Sequence, residues 1–242
     1  MEFGIWNFAN GLKEDPKIKK MESRPGEKRT GLFGGTFNPI HLGHLRGAEE
    51  ICEAYQLEKV IFIPSSAPPH KVTEKVIEAE HRLEMVKLAT RSNPHFSTSD
   101  VELSRPGKSY SIDTIRFFRE RGPDALFFIL GSDAFVEIET WKECQNLFSL
   151  CDFIVMTRPG SQKNSFSSPI PEALIPSFRY APRENAWIHL SGHLLYFKEI
   201  SFLDISSTKV RELIEKRRSA RYLIPAEVEA YVQKLGLYRK SL

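Results

Sequence analysis

Apolar positions recur along this chain at two spacings, and the spacings alternate. Residues 30–36 (TGLFGGT) are a short run ending in glycines, which predicts a strand that runs into a tight turn. Over 42–56, Leu42, Leu45, Ala48, Cys52 and Tyr55 fall at helical spacing. Residues 59–64 (KVIFIP) are β-branched and aromatic and stop at proline, as a buried strand does. Leu83, Val86 and Ala89 predict a helix over 80–92, ended by Asn93-Pro94. A weaker strand follows near 96–103. Ile112, Ile115 and Phe118 then give a helix near 110–121, stopped by Gly122-Pro123. ALFFIL at 125–130 and DFIVMT at 152–157 read as two more buried strands, with a helical stretch around Trp141 between them. Residues 160–192 are rich in Ser, Pro and Asn and show no regular pattern, whereas 194–200 (LLYFKEI) predict a final strand. Two helices close the chain. Ser206-Ser207-Thr208 cap the first, which continues through Val210, Leu213 and Ile214. The second starts near Pro225, shows Val228, Tyr231, Val232 and Leu235, and stops at Gly236.

Strands alternating with helices predict an α/β fold with a parallel sheet covered on both faces. The last two helices are expected to form a small C-terminal helical part. Residues 1–29 mix charges with Pro16, Pro25 and Gly26 and lack apolar periodicity. They are expected to be a mobile N-terminal extension, leaving 30–242 as a single domain.

Composition narrows the class only a little. The chain has 242 residues, 41% hydrophobic and 27% charged, as ordinary globular proteins have. A net charge of +3 is too mild to indicate a nucleic-acid binder, and suits small phosphorylated ligands as well. The three cysteines, Cys52, Cys144 and Cys151, form no C-x-x-C pair, so neither a disulfide framework nor a cysteine zinc site is indicated. A reducing, cytoplasmic compartment is expected. No membrane span and no secretory signal can be read from the chain.

The chemistry concentrates in Gly34-Gly35-Thr36-Phe37-Asn38-Pro39-Ile40-His41-Leu42-Gly43-His44. A strand leads to two glycines, where backbone can approach a phosphate and offer its N–H groups. The chain then enters a helix whose N-terminus favours an anion. His41 and His44, three apart, share a face of the first turn and can donate to phosphate oxygens. Two glycines alone are as often a plain turn. H-x-x-H also suits zinc, but no cluster supplies further ligands, so no protein metal site is expected. There is no G-x-x-x-x-G-K-[ST] sequence, since Gly107-Lys108-Ser109 has Glu102 where the first glycine would stand, and no G-x-G-x-x-G sequence.

GGTFNPIHLGH resembles the T/H-x-G-H signature of the nucleotidyltransferase superfamily, and the chain is similar to the bacterial nicotinate-nucleotide adenylyltransferases within it. Further matching segments are PSSAPPHK (64–71), PGKSYS (106–111) with Asp113-Thr114, ILGSD (129–133) with Trp141, ISST (205–208) with Arg211, and YLIP (222–225) through Gly236-Leu237-Tyr238. The likeness spans 31–239 and is poor at 160–192. It implies a Rossmann-like fold and transfer of the adenylyl group of ATP to nicotinate mononucleotide, with Mg²⁺ accompanying ATP. It also implies the site. Catalytic roles fall to His41, His44, Lys71 and Arg211. ATP binding falls to Gly34, Gly35, Thr36, Phe37, His41, His44, Gly131, Asp133, Ile205, Ser206, Ser207, Thr208 and Arg211. Acceptor binding falls to Asn38, His70, Lys71, Tyr110, Ser111, Trp141 and Arg158. Ser111 replaces the usual threonine and keeps the hydroxyl; Asn38 stands where aspartate is common.

Each segment has a plainer reading beside this one. Ser-Ser-Thr is an ordinary helix cap, Pro-Pro-His-Lys a stiffened surface loop, Gly131-Ser132-Asp133 a turn with a cap, and Trp141 a core residue. Arg158 reaches either ligand or its neighbours. The rival functions are a sister transferase acting on nicotinamide mononucleotide or phosphopantetheine, and, in another class, an RNA-binding module. No RNP-like motif supports the latter, and the oligomeric state is not legible.

Overall fold

The computed structural model describes residues 26–67, 76–158, 169–201 and 203–239. Its elements in order are β1 (Arg29–Gly35), α1 (Leu42–Ala54), β2 (Lys59–Pro64), α2 (Ala79–Thr90), β3 (Phe96–Thr98) and α3 (Ser111–Arg119). Then come β4 (Ala125–Gly131), α4 (Ser132–Val136), α5 (Cys144–Leu147), β5 (Asp152–Thr157), β6 (Phe178–Ala181), β7 (Ala186–His189), β8 (Leu194–Glu199), α6 (Ser207–Glu215) and α7 (Ala226–Leu235). The strands form one sheet in the order β3-β2-β1-β4-β5-β8-β7-β6. The run from β3 to β8 is parallel, and β7 and β6 extend it antiparallel.

Strand alternation sorts the core into two layers. Phe127 and Ile129 of β4 face one cluster, while Leu126, Phe128 and Leu130 face the other. The first layer includes Ala48, Ile51 and Cys52 of α1, Met85 and Val86 of α2, Val210 of α6, and Val228 and Val232 of α7. The second includes Ile112 and Ile115 of α3, Phe135 of α4 and Leu147 of α5. The C-terminal helices thus close onto the same apolar layer as α1 and α2. Gly236 ends α7 in the left-handed region at φ 63°.

Four expectations are corrected by tertiary structure. The strand near 96–103 is only three residues long, because the Asp100 carbonyl accepts from Leu103 N and Ser104 N and turns the chain. The helical stretch around Trp141 is present but broken into α4, a short 3-10 turn and α5, with Trp141 itself in extended backbone between the last two. Within 160–192, β6 and β7 form a hairpin, with Asn185 in the turn at φ 47°. The extension does not reach residue 29: Arg29 is the first residue of β1, buried, with its guanidinium 5.0 Å from the Phe127 ring centroid. Residues 1–25 lie outside the described residues.

Candidate active site

Reading outward from the centre, the sheet order reverses between β1 and β4. In open α/β sheets the crevice beyond the carboxyl ends of such strands is where ligands bind. A cavity of about 720 Å³ lies there. Every described residue that the sequence placed at the site lines it, from Gly34 at the end of β1 and Gly131 at the end of β4 to Arg158 after β5 and Ile205 before α6. His70 and Lys71 lie outside the described residues.

The start of α1 is built around its two histidines. His41 is the N-cap, in extended backbone, and its ring stacks on that of His44 at 3.6 Å between centroids, 25° from parallel. The His41 backbone N–H donates to His44 Nδ1 at 3.2 Å. A nitrogen that accepts carries no proton, so neutral His44 bears its proton on Nε2 and presents a donor there. Gly43 leaves room for this stack: a Cβ on it would lie 3.1 Å from His41 Nδ1, so the ring would have to shift by a few tenths of an ångström. His41 is 6% exposed, and burial lowers its pKa from 6.5 to about 4.

The start of α6 faces the same space. Ser206 Oγ caps it by accepting from Lys209 N at 3.1 Å. Ser207 Oγ donates to the Pro39 carbonyl at 2.8 Å, and Arg211 Nη1 to the Asn38 carbonyl at 2.9 Å. The glycine turn and α6 are therefore fastened together. Asn38 serves this joint too: its Oδ1 accepts from Tyr238 OH at 3.0 Å and from Ile77 N at 3.5 Å. Neither α1 nor α6 has an acidic residue in its first turn, nor has the four-residue α5, whereas α2, α3 and α4 each have one and α7 has two. The two helices that open beside the glycine turn thus leave their N-terminal positive ends uncompensated, as an anion site requires.

At the other end of the cavity, Tyr110 is the N-cap of α3 and Ser111 its first residue. Trp141 stands edge-on to Phe128, with centroids 6.2 Å apart, and lines the cavity while leaning on the core. Lys142 Nζ lies 4.8 Å from the Tyr110 ring centroid and pairs with Asp113 at 3.1 Å. Arg158 pairs with Asp133 at 3.1 Å, both exposed.

Sequence reasoning missed several residues here. Glu102 lines the cavity, is buried, and accepts from Thr114 Oγ1 at 2.7 Å; burial raises its carboxyl pKa. Its spacing carried no signal, since a lone glutamate in a polar stretch reads as surface. Among the described residues Ser65 Oγ and Thr157 Oγ1 are buried with no protein partner, and both residues line the cavity. Such atoms are rare and unfavourable in finished interiors, and their convergence fits a polar ligand. Among the described residues no group of three or more His, Cys, Asp or Glu could hold a metal, and no helix is long and apolar enough to cross a membrane.

Comparison with known proteins agrees with this geometry. Residues 32–213 match the Cytidylyltransferase-like family model. A Geobacter metallireducens protein named "Probable nicotinate-nucleotide adenylyltransferase" is 47% identical over 211 residues, which covers 87% of this chain and 98% of that protein. A Geobacter sulfurreducens protein of the same name is 44% identical over the same shares. A Plasmodium falciparum nicotinic acid mononucleotide adenylyltransferase, solved in complex with NaAD, superposes with a TM-score of 0.65 at 20% identity, covering 88% of this chain and 98% of that one, and shares the fold. From its glycine turn, its H-x-G-H helix start, its sheet order and these relatives, the chain belongs to the Cytidylyltransferase-like family, among proteins named for nicotinate-nucleotide adenylyl transfer.

Proposed function

We propose that the protein transfers the adenylyl group of ATP to nicotinate mononucleotide, giving nicotinate adenine dinucleotide and pyrophosphate, in NAD biosynthesis. The observation that carries this reading is the pair of uncompensated helix starts, α1 and α6, flanking the glycine turn at the point where sheet order reverses, with the stacked His41 and His44 between them.

A phosphate oxygen of the acceptor attacks the α-phosphorus of ATP. The bond from that phosphorus to the bridging oxygen breaks, and pyrophosphate leaves with the electron pair. The acceptor oxygen is already anionic near neutral pH, so no strong base is needed, and the residues position groups and neutralise charge. His44 Nε2–H and the Ser207 and Thr208 N–H groups at the start of α6 donate to phosphate oxygens, while at the start of α1 the Leu42 N–H is already given to the Leu223 carbonyl. Arg211 steadies the turn through Asn38. Lys71 and His70, which follow β2 in the sequence, serve the phosphates. Tyr110, Ser111 and Trp141 hold the pyridine ring, with Trp141 offering an aromatic face. Mg²⁺ would accompany ATP, held mainly by the phosphates and water, and would offset part of their charge. The three free thiols, two of them buried, support a reducing, cytoplasmic setting.

The acceptor is tested by comparing pyrophosphate release with nicotinate mononucleotide, nicotinamide mononucleotide and phosphopantetheine. The N–H donors at the α3 start suit a carboxylate, which only accepts, and an amide leaves a donor facing them. Nicotinate mononucleotide is expected to give the highest kcat/KM, by a large factor, because unpaired buried polar groups discriminate strongly. Equal values for acid and amide overturn the acceptor assignment, and no pyrophosphate with any acceptor overturns the activity.

A further inference from the structure

Arg82 lies on α2, and its side chain is among the largest fully buried ones in the molecule, 1% exposed. A buried cation is unfavourable unless its hydrogen-bonding capacity is filled. Here three arms of the guanidinium are filled by backbone carbonyls. Nε donates to Ile77 at 3.0 Å, Nη1 to Thr36 at 2.8 Å and Nη2 to Ser66 at 3.0 Å. The three carbonyls belong to separate segments: the glycine turn after β1, the turn after β2, and the approach to α2.

The Ser66 residue is held from a second side. Its N–H donates to Ser109 Oγ at 2.9 Å, and Ser109 is hydrogen-bonded to the buried Glu102. In a planar trans peptide a carbonyl and the following N–H point opposite ways. With the Thr36 carbonyl turned onto Arg82, the Phe37 N–H points away from it. Phe37 lines the cavity in the left-handed region at φ 47°, a conformation unusual for its residue type. Only a planar fork reaches three carbonyls at fixed angles, and a lysine ammonium lacks that geometry.

We propose that Arg82 is a positioning residue. It sets the orientation of the Thr36–Phe37 and Ser66–Ala67 peptides, and so fixes the ATP-side turn against the acceptor-side turn, without touching substrate. This rests on the adenylyl-transfer reading of the cavity.

The test is steady-state kinetics of Arg82→Lys with ATP and nicotinate mononucleotide, at a temperature where circular dichroism shows it folded. Small misplacements of reacting groups are costly, so kcat/KM is expected to fall about 10²-fold, with KM raised for both substrates. Methylguanidinium added to Arg82→Ala is expected to restore turnover saturably. A folded Arg82→Lys with a lowered melting temperature but unchanged kcat and KM overturns the proposal, since a merely structural role predicts that pattern. If neither variant folds even in the cold, Arg82 serves stability alone and the proposal fails. Wild-type protein separates the two claims. If it releases no pyrophosphate, the functional reading fails, and calorimetric ATP affinity of Arg82→Lys against wild type still decides the role of Arg82.

Discussion

His41 is a neutral imidazole at neutral pH, because burial lowers its pKa from 6.5 to about 4. It can donate one hydrogen bond to an anion without bringing a charge of its own. The same shift has a consequence for stability. Between pH 6.5 and 4 the unfolded chain binds a proton at this position that the folded chain does not, so folding is weakened as pH falls through that window and is unaffected by it above. At pH 5 the loss amounts to about 2 kcal/mol. His41→Gln removes the titration. Urea unfolding of both proteins at pH 7 and pH 5 should show the stability of wild type relative to the variant dropping by about that amount at the lower pH. A difference that stays constant with pH means that His41 is not held neutral by burial.

Two helices, α1 and α6, owe their importance to their first turns. Each starts without an acidic residue, and each is fixed to the glycine turn: α1 through the chain itself, α6 through Ser207 and Arg211 on the carbonyls of Pro39 and Asn38. His44 belongs to this scale, because its position in the first turn of α1 aims Nε2 and because Nδ1 satisfies the His41 N–H. His44→Ala is expected to lower turnover by about 10²–10³, the usual loss for one preorganised donor to developing charge, with a smaller change in KM for ATP. Near-normal turnover in a folded His44→Ala protein would remove His44 from the mechanism. At the sheet's far edge, β6 and β7 escaped the periodicity because each is only four residues long and β6 exposes both Arg179 and Tyr180. A signal was present in Pro182-Arg183-Glu184-Asn185, a turn set between the aromatic runs FRYA and AWIH.

The whole molecule places its first described strand at the centre of the sheet, and that bears on where the chain can be shortened. β1 pairs with both β2 and β4, and Lys28 N donates to Asp124 Oδ2 at 2.9 Å just before it. Residues 1–25 lack apolar periodicity and precede β1. Removing 1–25 is therefore expected to leave kcat, KM and the melting temperature nearly unchanged. Removing 1–29 takes away Arg29 and its packing on Phe127 and should lower the melting temperature clearly. Equal melting temperatures for the two truncations would show that β1 does not need its first residue. A large loss of activity in the shorter truncation would show that the extension serves the site.

The sequence by itself determined the elements whose cause is local. Helical apolar spacing set α1 and α7, each with one buried face, and nearly unbroken apolar runs set β1, β2, β4 and β5, which are covered on both faces. It also determined the anion-binding turn, since glycines, a helix start and H-x-G-H stand side by side in the chain. Only the tertiary structure decided which distant groups meet. Asn38 and Tyr238 bond across 200 positions, and Arg82 joins three segments through carbonyls that every residue possesses. A backbone carbonyl leaves no mark in composition or spacing. The brace behind the site therefore became visible only when packing had brought the two turns onto one buried guanidinium.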